Sequence, residues 1–152
     1  MHEHIEKIKK KSKEVVDLLG FSSDVIAVQR NNVLFLNFQI DDPAILIGRG
    51  GEGLESLQHI IRLLLGQIIN ETGNILIVDI NGYRDKKNFS IEKMAKESAL
   101  KVISEGIEIE LPPMNAFERR IVHTLVSNMA DVESGSTGDH RDRRVVIKPK
   151  KK

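Results

Sequence analysis

Cysteine and tryptophan are absent from this 152-residue chain, tyrosine occurs once and proline four times. Without cysteine there is no disulfide framework and no thiolate chemistry, which fits a reducing, cytoplasmic setting. Aromatic residues make up 4%: Tyr83 and five phenylalanines, mostly at core-like positions, so a stacking platform for bases is not expected. No apolar run reaches spanning length; the longest candidate, residues 60–69, is broken by Arg62, Gly66 and Gln67. Met1-His2-Glu3-His4 lacks the charged-then-apolar layout of a secretory signal. Zinc and calcium spacings and a G-x-x-x-x-G-K-[ST] phosphate loop are missing too. An enzyme is therefore not expected, and neither is a cofactor or a metal.

What is present is enough apolar sequence for real cores, 40%, and an uneven charge. Residues 1–110 carry 14 Lys+Arg against 17 Asp+Glu, whereas residues 111–152 carry 9 against 5. A polyanion is expected to meet the C-terminal part first.

Ile5, Ile8, Val15, Val16 and Leu19 recur at helical spacing, predicting an amphipathic helix over 2–19 stopped by Gly20. That helix either completes a core or docks a partner. Two strands, 25–30 and 33–40, flank the turn Asn31-Asn32. Asp42-Pro43 predicts an N-cap with proline at the first helical position, opening a single turn that Gly48 ends. Leu54, Leu57, Ile61, Leu64, Leu65 and Ile68 define a long helix to about Gly73, and 75–80 is a strand. A domain boundary is expected at 82–87. Beyond it come a helix carrying Ile91, Met94, Ala95, Val102 and Ile103, and a short strand at Ile107, Ile109 and Leu111. A capped helix follows from Asn115 to about Met129, then a flexible turn at 134–138, a strand at 144–148 and a lysine tail to Lys152.

Four glycines crowd residues 48–53, ahead of the long helix, where bare N–H groups let a phosphate approach. Gly48, Gly50 and Gly53 satisfy G-x-G-x-x-G, with Asp79 near the place of a ribose-binding acid, so a dinucleotide site is one reading. Against it, Asp42-Pro43 interrupts the approach where that fold needs a buried strand. The same glycines fit I-G-x-x-G-x-x-L through Ile47, Gly48, Gly51 and Leu54. With the order helix–strand–strand–short helix–GxxG–long helix–strand, residues 1–82 resemble a type II KH domain. The resemblance implies that Gly48, Arg49, Gly50 and Gly51 clamp the backbone of unpaired nucleotides. Gly53 is expected to weaken the first turn of the long helix.

Arg119 and His123 stand four apart on the later helix, separated by about 40° at 3.6 residues per turn, so both can meet one ligand. They are expected to point away from a buried face of Phe117, Ile121 and Leu125. A guanidinium fork and an imidazole together suit a phosphate. Arg143 and Arg144 are candidates to extend that footprint. The run 113–123 followed by 143–149 resembles the Arg-x-x-x-His (R-three-H) domain of single-stranded nucleic-acid binders, covering about 86–149.

The expected fold class is thus α+β, two small domains: a type II KH-like domain over 1–82 and an R-three-H-like α/β domain over 83–152. That pairing is similar to the bacterial Jag (SpoIIIJ-associated, KhpB-type) family of RNA-binding regulators. The resemblance implies single-stranded RNA as ligand, with single-stranded DNA left open. It also implies a small KH-only protein partner, a cytoplasmic location, and a link to cell elongation or envelope control. A protein-interaction module is the alternative from another class.

Overall fold

The computed structural model describes residues 2–151; Met1 and Lys152, the end of the lysine tail, lie outside the described residues. The chain divides into two compact units, Met1–Tyr83 and Arg84–Lys152. No helix among the described residues is long and apolar enough to cross a membrane.

The first unit runs α1 (His2–Leu18), β1 (Asp24–Arg30), β2 (Val33–Gln39), α2 (Ala44–Ile47), a 3₁₀ turn (Arg49–Gly51), α3 (Glu52–Thr72) and β3 (Ile75–Ile80). Its sheet has the order β1-β2-β3, with β1 and β2 antiparallel and β2 and β3 parallel. Gly20, at φ +91°, closes α1: its N–H donates to the Asp17 carbonyl (3.0 Å) and that of Phe21 to the Val16 carbonyl (3.3 Å). Those two bonds are the Schellman pattern. Asn31 and Asn32 take φ of +47° and +60°, the left-handed pair a two-residue hairpin turn requires.

Alternation sends Leu34, Leu36 and Phe38 of β2, and Leu76, Val78 and Ile80 of β3, into one core with Ile8, Val16, Leu54, Leu57 and Ile61. Of the α1 stripe, Ile8 and Val16 are buried in this core, Ile5 and Val15 pack partly against it, and Leu19 is exposed. Each buried side chain of the core contributes roughly 1.5–3 kcal/mol on burial. On α3, Leu64, expected on the buried stripe, is exposed, and Ile69 is buried.

The outer edge of β3 is covered by polar side chains of α3. Gln58 Oε1 accepts from the Val78 N–H (2.8 Å), and Arg62 Nη2 donates to the Leu76 carbonyl (2.6 Å). Arg62, which interrupts the apolar run, thus serves a strand edge that would otherwise recruit another chain. Asn81 clasps the far end, its side chain accepting from the Ile40 N–H (3.0 Å) and donating to the Ile40 carbonyl (2.7 Å).

The second unit contains α4 (Tyr83–Glu105), whose first residue belongs to the first unit, then β4 (Ile109–Glu110), α5 (Ala116–Ser127), β5 (Val132–Thr137), a 3₁₀ turn (His140–Asp142) and β6 (Arg144–Pro149). Its antiparallel sheet has the order β4-β6-β5. As the central strand β6 buries Val145, Val146 and Ile147 in succession. The core gathers Ile91, Ala95, Ala99 and Val102 from α4 with Leu111, Met114, Val122, Val126, Val132, Val145 and Ile147.

Two local expectations, at Pro43 and at 134–138, are corrected. Pro43 is the N-cap of α2, at φ −85°, rather than its first helical residue, and no side chain caps that turn. Within 82–87, α4 starts at Tyr83, directly after the Asn81-Gly82 turn. The stretch 134–138 is strand as far as Thr137, because β6 supplies a ladder that outweighs the turn preference of Ser-Gly-Ser-Thr; only Gly138, at φ +84°, turns.

Candidate nucleic-acid interface

α5 is started by a complete capping box. Asn115 Oδ1 accepts from the Glu118 N–H (2.9 Å) and Glu118 Oε2 accepts from the Asn115 N–H (2.9 Å). Glu118 is only 8% exposed, and its other oxygen meets Lys87 Nζ of α4 at 2.5 Å. This cap and ion pair fix the rotation of α5 about its axis. The buried stripe is Glu118, Val122 and Val126, not the expected Phe117, Ile121 and Leu125. Both stripes carry apolar residues at helical spacing, the buried one with Glu118 at its head, so the period was legible and the phase was not.

With that phase, Arg119 and His123 flank the core instead of opposing it, and His123 faces β5. His123 sits between two serines of that strand, Nδ1 against Ser134 Oγ (2.7 Å) and Nε2 against Ser136 Oγ (2.9 Å). A neutral imidazole carries one donor and one acceptor, so one serine accepts and the other donates. Burial, and secondarily the positive charge of Arg119, hold the His123 pKa below its ordinary value. The shift favours the neutral ring, which the two hydroxyls orient. The Arg119 guanidinium is carried one turn earlier on α5. One of its donors, Nη1, is committed to the Met114 carbonyl at 2.8 Å; a guanidinium has five.

Arg143 is exposed just before β6. Arg144, also expected to face a ligand, is instead half-buried, its Nε donating to the Asp142 carbonyl (3.1 Å) and its Nη1 3.9 Å from Glu110. Its charge is partly balanced within the fold.

In the first unit Arg49 and Gly50 are exposed, Gly48 is half-buried and Gly51 is buried. Gly48, Gly50 and Gly51 all have positive φ (+72°, +62° and +91°), so glycine is demanded by the backbone itself. A Cβ on Gly51 would lie 3.0 Å from the Tyr83 ring, and one on Gly48 2.8 Å from the Gly53 nitrogen. Not all the loop amides are bare. Gly51 N–H donates to the Gly48 carbonyl (3.3 Å) and Glu52 N–H to that of Arg49. The first turn of α3 also brings Glu52 and Glu55, which oppose an anion there. The Gly48 N–H likewise donates to the Ala44 carbonyl (3.0 Å), so the loop offers a phosphate chiefly the exposed Arg49 side chain.

Gly53 has a use that the sequence did not reveal. A Cβ there would sit 2.3 Å from the Leu46 carbonyl oxygen and 2.9 Å from the carbonyl of Ile47. Gly53 lets the end of α2 press against the start of α3, which sets the loop between them. Ser134 and Ser136 were missed as well, hidden in a stretch read as a turn; their i, i+2 spacing was the available signal. The aromatic reading also needs correction, because Phe35, Phe89 and Phe117 are exposed, the last two at 69% and 63%. Among the described residues, no three His, Asp or Glu side chains gather to hold a metal ion.

The sequence is similar to those of known proteins. The chain is 32% identical over 141 residues to the RNA-binding protein KhpB of Clostridium symbiosum, covering 91% of this chain and 63% of that protein. It is 29% identical over 133 residues to the KhpB of Lactiplantibacillus plantarum, covering 88% and 41%. It is 27% identical over 139 residues to that of Bacillus subtilis, covering 90% and 66%. The chain thus spans less than two thirds of each of these relatives. Residues 90–149, which include Arg119, His123 and the serine pair that seats it, match the R-three-H domain.

Proposed function

We propose that this chain binds single-stranded RNA without catalysing a reaction, using the Arg119–His123 edge of the second unit and the Gly48–Gly51 loop of the first. The observation that carries the reading is the pairing of Arg119 with a serine-seated His123 inside the segment that matches the R-three-H domain. Support also comes from relatives named as RNA-binding proteins along nine tenths of the chain. Arg119 supplies a fixed charge with a donor fork, and Arg143 adds a second cation: its carbonyl accepts from the Met114 N–H (3.0 Å), and the Met114 carbonyl accepts from Arg119. Contacts of this kind grip phosphate and carry little base information.

For the first unit we propose a KH-like role, with domains dividing near residue 82. The helix–strand–strand–helix–GxxG–helix–strand order supports it. With Glu52 and Glu55 close by, this loop adds register and orientation more than charge-driven affinity. Membership among the KhpB-type regulators, a cytoplasmic location, a small KH-only partner and a tie to cell elongation or envelope control belong to the same proposal. The dinucleotide reading is disfavoured: the glycines follow α2 and a 3₁₀ turn, not a strand, and Gly53 is filled by backbone contacts.

The test is a salt titration of binding to short single-stranded RNA, single-stranded DNA and a nicotinamide dinucleotide. RNA should bind with a steep salt dependence and the dinucleotide should not bind. Arg119→Ala should flatten the slope of log K against log salt by about 0.7, one phosphate contact on a single strand. An unchanged slope would remove Arg119 from the interface.

A further inference from the structure

The rotation of α5 that corrects its buried face leaves Phe117 exposed, beside Ile121 and Leu125, which are only partly buried against the core. Phe117, Arg120, Ile121, Thr124 and Leu125, with Glu92 of α4, line an open groove of about 460 Å³. Phe117 is 63% exposed, a large ring with no burial to account for it. At 100° per residue, the surface of α5 passes from His123 to Arg120, Thr124, Phe117 and Ile121 in steps of about 60° or less. A strand held at the Arg119–His123 edge therefore crosses Arg120 on its way into the groove.

The chemistry of the groove selects its occupant. A protein partner needs an interface of about 800 Å² a side, whereas cavities of a few hundred Å³ suit a single small group. Glu92 repels an anionic lipid surface. An exposed aromatic face beside an arginine suits an unpaired base with its phosphate. A carboxylate accepts hydrogen bonds only, so it favours bases that present an exocyclic amino group.

We infer that the α4–α5 groove takes one nucleobase of the bound strand, stacked on Phe117, with Arg120 at its phosphate and Glu92 accepting from an exocyclic amino group. The inference rests on single-strand binding at the Arg119–His123 edge.

The experiment compares the full chain with Phe117→Leu, Phe117→Tyr and Arg119→Ala on a short mixed-sequence single-stranded RNA and on its abasic counterpart, with melting curves for each variant. Phe117→Leu, which keeps the apolar bulk and removes the ring, should weaken the base-bearing RNA by roughly five- to a hundredfold. It should leave the abasic strand unaffected, and Phe117→Tyr should bind like the parent. Equal binding of the base-bearing RNA by parent and Phe117→Leu overturns the stack, as does an equal loss on both strands. If Arg119→Ala binds both strands as the parent does, the phosphate edge is at fault, a failure separable from that of the groove. Oligocytidine should bind more tightly than oligouridine, and Glu92→Gln should level the two; equal affinities in the parent overturn the Glu92 contact.

Discussion

Gly53→Ala is expected to destabilise the protein, against what helix propensity alone assigns. Alanine in a helix is favoured over glycine by about 1 kcal/mol. At this position the new methyl would lie 2.3 Å from the Leu46 carbonyl oxygen and 2.9 Å from the Ile47 carbonyl, and all of those atoms are backbone. Relief requires α2 to move off α3, since no flexible side chain can yield. Overpacking of this kind costs about 1–3 kcal/mol, leaving a net loss of up to about 2 kcal/mol after the propensity gain. For a unit of this size each kcal/mol lowers the melting temperature by about 4–8 °C. Far-UV circular dichroism during thermal or urea unfolding reads the change. Gly66→Ala is the control on the same helix: it meets nothing within 4 Å and should raise stability by roughly 0.5–1 kcal/mol. If Gly53→Ala stabilises as Gly66→Ala does, the close contact between α2 and α3 is wrong, and with it the seating of the Gly48–Gly51 loop.

Glu118→Ala removes the acceptor of both Lys87 and the Asn115 N–H, and should cost the second unit about 2–3 kcal/mol in urea unfolding. An unchanged midpoint would deny that the cap and ion pair set the α5 rotation. His123 gives a pH signature. Its folded pKa lies below the unfolded value of 6.5, so its contribution is intact above about pH 6.5 and is lost as pH falls toward the folded pKa. His123→Asn should lack that acid-side loss, and an identical pH profile in the variant would contradict the assignment. Arg49→Ala, at an exposed position, should leave the melting curve within about 0.5 kcal/mol of the parent while weakening single-stranded RNA binding. Unaltered affinity would take Arg49 out of the contact.

Much of the first unit was legible because its elements carry strong periods. β2 alternates cleanly through Leu34, Leu36 and Phe38, and Asn31-Asn32 and Gly20 mark their turns by backbone need. The second unit was harder to read where tertiary contacts decide. Residues 134–137 have strand structure only because β6 pairs with them, and α4 begins with Tyr83-Arg84-Asp85-Lys86-Lys87, which shows no apolar period. At the candidate interface, the spacing of Arg119 and His123 brought out the pair. Their surroundings depended on which of two apolar stripes of α5 turned inward. Glu118, an acid that local pattern places on the surface, settles that choice by being buried against Lys87. The function of Gly53 lay in a close approach of backbones that no local pattern encodes.

The most direct measurement is a two-dimensional amide and imidazole NMR titration of the full chain with a short single-stranded RNA at low salt. Binding through the proposed surfaces predicts shifts concentrated at Gly48–Gly51, around Arg119, and at the His123 ring with Ser134 and Ser136. Shifts confined to other surfaces, or none at concentrations that saturate a known single-strand binder, would contradict it.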